Sequence, residues 1–188
     1  METNFIREYK NVLTPIECQD FIKFFEELSI SERVAIANGS EDNGGAKNRL
    51  DNAIFVERCD PNRAAYLNQF LINGWNQYCK EFPFLEGVTI SSYNQKLQKT
   101  PPSGGFHKWH WEHNGSHDNR NRLAVWTLYL TTHENEGETE FLAHGLRVAP
   151  EAGKLCIFPA DYTAVHRGNP VYSKDKYIIT GWFEYANS

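Results

Sequence analysis

Apolar positions along the first half of the chain recur three and four residues apart. In "LTPIECQDFIKFFEEL" Ile16, Phe21, Ile22, Phe24, Phe25 and Leu28 fall at near-helical spacing, with Thr14 as a cap and Pro15 in the first turn. This predicts an amphipathic helix over about 15–29. The same spacing in "PNRAAYLNQFLINGWNQYCKEF" predicts a second helix over 61–82. Between them, residues 37–52, "ANGSEDNGGAKNRLDN", carry almost no apolar side chain and three glycines, which reads as a long loop of the kind that serves as a lid.

From about residue 88 the period changes to alternation. "VTISSYNQKLQ", "RLAVWTLYLTT", "TEFLA", "GKLCIFPA", "YTAVH" and "KYIITGWFEY" are short, rich in β-branched and aromatic residues, and bounded by Gly, Pro, Asn and Asp. Helices followed by many short strands give an α+β class, with the helices covering one face of an antiparallel sandwich or jelly roll. The division expected is helical support plus lid loop over 1–87 and a strand-rich core over 88–188, together one domain.

Composition narrows the function classes. A formal net charge of -5 without a run of Lys or Arg argues against a grip on nucleic acid. No apolar run approaches the ~20 residues of a membrane span, and "METNFIREYK" lacks the apolar core of a signal peptide, so a cytoplasmic protein is expected. Cys18, Cys59, Cys79 and Cys156 are widely spaced, form no CxxC pair, and read as reduced thiols.

The chemistry gathers in one region. All seven histidines lie between residues 107 and 166, and three of them sit in "GGFHKWHWEHNG". If "HWE" is extended, His110 and Glu112 project to one side while Trp111 faces away. His166, at the end of "YTAVH", supplies a third ligand, and two histidines with one carboxylate form the facial triad of non-haem iron(II) oxygenases. In the last strand, alternation puts Lys176, Ile178, Thr180 and Trp182 on one side. Burying that ammonium is costly unless an anion pairs with it.

In ordered pieces the chain resembles the iron(II)- and 2-oxoglutarate-dependent oxygenases, within them the prolyl-4-hydroxylase-like branch. The pieces are "HWE", "LYL", "GETEF", "PEAGKLCIFPA" and "HRGNPVYSKDK", over roughly residues 88–185. The resemblance implies a double-stranded β-helix and iron held by His110, Glu112 and His166. It also implies that Lys176 pairs with the distal carboxylate of 2-oxoglutarate, with Tyr129 and Thr180 as further cosubstrate contacts. The cosubstrates it implies are 2-oxoglutarate and dioxygen, with ascorbate as a candidate reductant. The reaction is hydroxylation of a C–H bond with release of succinate and carbon dioxide.

A prolyl residue in a peptide or protein is the substrate first in line; a free amino acid or another small metabolite is the alternative. Trp111, Trp126, Trp182 and Arg122 are candidates for the substrate pocket. Two positions depart from the family pattern. Glu112 stands where Asp is usual, and Thr100 stands where a tyrosine often precedes the first histidine by ten residues. Two readings outside this family stay open: a jelly-roll carbohydrate-binding module with sugar-stacking tryptophans, and a cupin-like metalloenzyme that does not use 2-oxoglutarate.

Overall fold

The computed structural model describes residues 4–30, 35–38, 50–113, 115, 117 and 119–186. In chain order the elements are β1 (Arg7–Tyr9), α1 (Pro15–Ile30), β2 (Ala35–Asn38), β3 (Leu50–Phe55), α2 (Val56–Cys59), α3 (Pro61–Glu81), β4 (Ile90–Ser91), β5 (Lys96–Thr100), β6 (Arg122–Tyr129), β7 (Thr139–Phe141), β8 (Leu146–Val148), β9 (Leu155–Pro159), β10 (His166–Gly168) and β11 (Lys176–Tyr185).

Both long helices start where local chemistry dictates. At α1 the Glu17 carboxylate accepts from the Thr14 backbone N–H at 2.7 Å, and Thr14 Oγ1 accepts from the Glu17 N–H at 3.3 Å, a reciprocal capping box. At α3 the Asp60 carboxylate accepts from the backbone N–H groups of Asn62 and Arg63, and Pro61 takes the first-turn position where a missing N–H costs nothing.

Two antiparallel sheets carry the rest. The larger has the order β1-β9-β6-β11-β5-β3-β2, with β4 also pairing β11, and the smaller has the order β10-β7-β8. Alternation along the large sheet separates two apolar clusters. Ala124, Trp126, Leu128, Leu155, Ile157, Tyr177, Ile179 and Phe183 pack with Phe21, Phe25, Leu67, Leu71 and Trp75 of the helices. Val125, Tyr129, Cys156 and Phe158, one residue out of phase, pack with Phe141 and Val148 of the small sheet. Burying each of the larger aliphatic and phenylalanine side chains is worth roughly 1.5–3 kcal/mol, and the period of two allots these strand residues to one cluster or the other.

Gly74 lets α3 lie against the sheet, because a Cβ there would come within 2.4 Å of Leu155 Cδ2. The close packing offsets the ~1 kcal/mol that a mid-helix glycine costs relative to alanine.

Several sequence expectations change in the fold. The sheet is not built from the C-terminal half alone, since β1, β2 and β3 all join it; β3 begins at Leu50, inside the segment read as loop. Strand pairing with β5, not local pattern, orders "LDNAIF". "YTAVH" is not one strand: Tyr162–Ala164 form a 3-10 turn, because the Asp161 carboxylate accepts from the Thr163 N–H at 2.9 Å, and β10 starts only at His166. "HWE" lies in irregular backbone with an isolated bridge at His110. Residues 39–49 lie outside the described residues, and with them most of the expected lid. The four cysteines are free thiols, and among the described residues no helix is long and apolar enough to cross a membrane.

Candidate active site

The irregular segment 105–113 is laid across the small sheet by backbone bonds rather than by a ladder of its own. The Gly168 N–H donates to Phe106 O at 3.0 Å, His110 and His166 exchange backbone bonds of 3.0 and 2.9 Å, and the N–H groups of Glu112 and His113 both donate to Ala160 O, at 2.9 and 2.8 Å. These bonds bring His110, Glu112 and His166 together: one ligand atom from each lies within 4.8 Å of the others. They form the one such group of His, Cys, Asp or Glu found among the described residues.

Each ring is oriented for ligation. Nδ1 of His110 meets Lys108 O at 2.8 Å and Nδ1 of His166 meets Ala164 O at 3.0 Å. A carbonyl accepts only, so each Nδ1 carries the proton and each Nε2 presents a lone pair to the centre. Burial, with the neighbouring His110, pushes His166 down to about 4, so its imidazole is neutral at physiological pH.

Burial works the other way on Glu112 and would raise its carboxyl. Proximity to His110 first, then to His166 and Arg122, outweighs it under acidic conditions where the rings take up protons, and holds the group at about 2, so that Glu112 is a carboxylate near neutrality. Two imidazoles whose Nδ1 atoms are turned outward onto carbonyls, with one carboxylate, fit a divalent transition metal.

A cavity of about 270 Å³ opens beside the triad. Lys176, 7% exposed, lines it too, and its Nζ donates to Gly137 O at 2.5 Å. Burial drives its ammonium down to about 8 against the opposing pull of Glu138. The donor set suits an anion: a desolvated ammonium in a polar cavity, with Thr127, Thr139 and Thr180 on the walls. Thr180 Oγ1 donates to Trp126 O at 2.9 Å and lies 3.2 Å from Thr127 Oγ1.

Tyr129 is fully buried and does not line the cavity; its hydroxyl bonds Thr139 Oγ1 at 2.7 Å, and Thr139 is the residue that faces the space. Thr100, the position of the second departure, lines the cavity and pairs with Lys176 across β5 and β11.

The four substrate-pocket candidates part company. Trp182 and Arg122 line the cavity, and both hold Glu112: Arg122 Nη1 donates to Oε2 at 2.9 Å and Trp182 Nε1 to the same oxygen at 3.1 Å. Trp126 faces the helices on the other side of the sheet, with its indole N–H on Ser92 Oγ at 3.0 Å, and Trp111 is an exposed side chain outside the cavity.

Arg167 sits over the Trp109 ring at 4.3 Å and pairs with Glu140 at 2.7 Å. His107 meets Gly168 O at 2.7 Å through Nδ1. Sequence reasoning missed Asp51, Gln98, Thr127 and Thr139 as cavity residues. Alternation along β6, where Thr127 lies opposite Thr180, would have found Thr127, whereas Thr139 depends on how the small sheet is placed and Asp51 and Gln98 on which strand β3 pairs with.

Residues 93–184, just under half of the chain, match the family model described as the 2OG-Fe(II) oxygenase superfamily. No curated protein sequence matches the chain. Among solved structures, the chain is similar to a prolyl hydroxylase from Trichoplax adhaerens in complex with a peptide fragment of the hypoxia inducible factor oxygen degradation domain. That likeness has a TM-score of 0.76 at 18% identity and covers 97% of this chain and 84% of that one. A Pseudomonas putida prolyl-4-hydroxylase follows at TM-score 0.66 and 19% identity, covering 98% and 95%. The viral collagen prolyl hydroxylase of Paramecium Bursaria Chlorella virus-1, in its 2OG complex, has TM-score 0.62 and 17% identity, covering 98% and 97%. The fold is therefore that of prolyl hydroxylases.

Proposed function

We propose, on the premise that residues 93–184 are a 2OG-Fe(II) oxygenase domain, that this 2-oxoglutarate-dependent iron dioxygenase hydroxylates a C–H bond of a prolyl residue in a peptide or protein. The observation that carries the cosubstrate part is Lys176, a buried ammonium that lines the same cavity as the His110, Glu112 and His166 ligands. The prolyl part rests on likeness of fold, including a neighbour that holds a peptide.

His110 Nε2, His166 Nε2 and the Glu112 carboxylate would hold iron(II), and Lys176 would hold the distal carboxylate of 2-oxoglutarate. Iron, 2-oxoglutarate and dioxygen together supply the oxidant, with succinate and carbon dioxide as coproducts. The protein's own work is positional. The outward Nδ1–H bonds fix both rings, and the Glu112 carboxylate stays ionised. The two sheets are read as the faces of a double-stranded β-helix, with 1–188 as one oxygenase domain whose 1–87 portion adds β1, β2 and β3 to the larger sheet and packs its helices on it.

The test is incubation with iron(II), 2-oxoglutarate and oxygen in the presence of proline-containing peptides or, separately, free amino acids, reading succinate and a gain of one oxygen atom by mass. Substrate-dependent succinate with oxidised peptide proline supports the proposal. Oxidation of the free amino acid alone would replace the peptide with a small metabolite, and no succinate under any condition would overturn the oxygenase reading.

A further inference from the structure

We propose that Arg122 and Trp182 are positioning residues that fold the long Glu112 side chain back so that a single oxygen faces the metal. The inference rests on His110, Glu112 and His166 being the metal ligands. Glutamate carries one methylene more than the aspartate usual at this position, and with it one more freely rotating bond; an unrestrained carboxylate would sample many placements.

Three contacts remove that freedom. Arg122 Nη1 donates both to Glu112 Oε2 at 2.9 Å and to the backbone carbonyl of Glu112 at 3.2 Å, so one nitrogen ties the tip of the side chain to its own main chain. Trp182 Nε1 donates to the same Oε2 at 3.1 Å. The guanidinium lies over the Trp182 ring at 3.6 Å, so the two donors brace each other. They come from neighbouring strands, and β6–β11 pairing sets Trp182 opposite Val125 and Glu184 opposite Arg122.

With Oε2 taken by two donors, Oε1 is the oxygen turned toward His110, 3.4 Å from its Nε2. The clamp makes the glutamate a one-oxygen ligand and leaves the remaining metal positions for 2-oxoglutarate and dioxygen. Arg122 therefore acts on the ligand and not on an anionic substrate.

The experiment is titration of the metal-free protein with manganese(II), following loss of the free-ion electron paramagnetic resonance signal, which reads metal affinity without turnover. Arg122→Met and Trp182→Phe, the latter keeping the ring and removing only the N–H, should each weaken manganese binding by roughly 10- to 100-fold, the range for partners of metal ligands. In a Glu112→Asp background the shorter carboxylate cannot meet the clamp and the histidines together, so adding Arg122→Met should cost less than about threefold by the same comparison.

Unchanged affinity in both single variants would overturn the clamp. So would an equal loss in both backgrounds, which would make Arg122 a general electrostatic or structural contributor. If Arg122→Met fails to fold, Trp182→Phe decides alone. Failure of the unaltered protein to bind manganese would overturn the metal reading and the clamp with it, an outcome distinct from normal binding that no clamp variant disturbs.

Discussion

His110 and His166, far apart in the chain, exchange two backbone hydrogen bonds of 3.0 and 2.9 Å, so the two imidazoles are registered by main-chain geometry and not by their rings. Their ring centroids stand 4.3 Å apart.

Because the backbone holds the pair, His110→Ala and His166→Ala should each abolish turnover and stable iron binding while leaving the far-ultraviolet circular dichroism and the thermal transition near those of the parent. A fully active variant of either would remove the basis of the triad.

Lys176→Met should separate binding from stability. Truncating one partner of a buried charge pair costs about 2–5 kcal/mol, so the KM for 2-oxoglutarate should rise by roughly 30-fold or more. The unliganded variant should melt at or above the parent's temperature, since a desolvated ammonium has been removed, and 2-oxoglutarate should no longer raise that temperature. Calorimetry with and without cosubstrate distinguishes this from simple misfolding.

The same lysine sets a pH dependence. Its folded value lies near 8, below the ordinary lysine value of 10.5. Between those two values the unfolded chain holds a proton that the folded protein has released, so this group's contribution makes the unliganded protein more stable as pH rises from about 8 toward 10.5. Below about 8 both states are protonated and the burial cost is present in full. Binding of the 2-oxoglutarate dianion needs the ammonium, so affinity should fall by up to about tenfold per pH unit above 8, and Lys176→Met should flatten the profile. A profile unchanged by that substitution would assign the dependence elsewhere.

Trp126→Ala should cost about 3–5 kcal/mol in denaturant unfolding, because the ring is fully buried between sheet and helices. Activity per folded molecule should be retained. Trp111→Ala, at an exposed position, should change stability by less than about 0.5 kcal/mol, and 2-oxoglutarate affinity should stay as it was.

The sequence alone carried both long helices, the change to alternation near residue 88, and the clustering of ligand-type residues, because each is a local signal. Helical period and caps fixed α1 and α3 to within a residue of the expected bounds, and alternation put Lys176 and Thr180 on the inner face of β11. What it did not carry are the relations between distant strands. Trp126 and Trp182 look alike in sequence, yet one faces the helices and the other Glu112, because strand phase is decided by pairing with the neighbours. Asp51 and Gln98 meet at the cavity only through β3–β5 pairing. The sequence determined which residues were available to make a metal and anion site. Only the tertiary structure decided that His110 would lie against His166, and that Arg122 and Trp182 would close on Glu112, since hydrogen bonds and packing between remote segments leave no periodic trace in the chain.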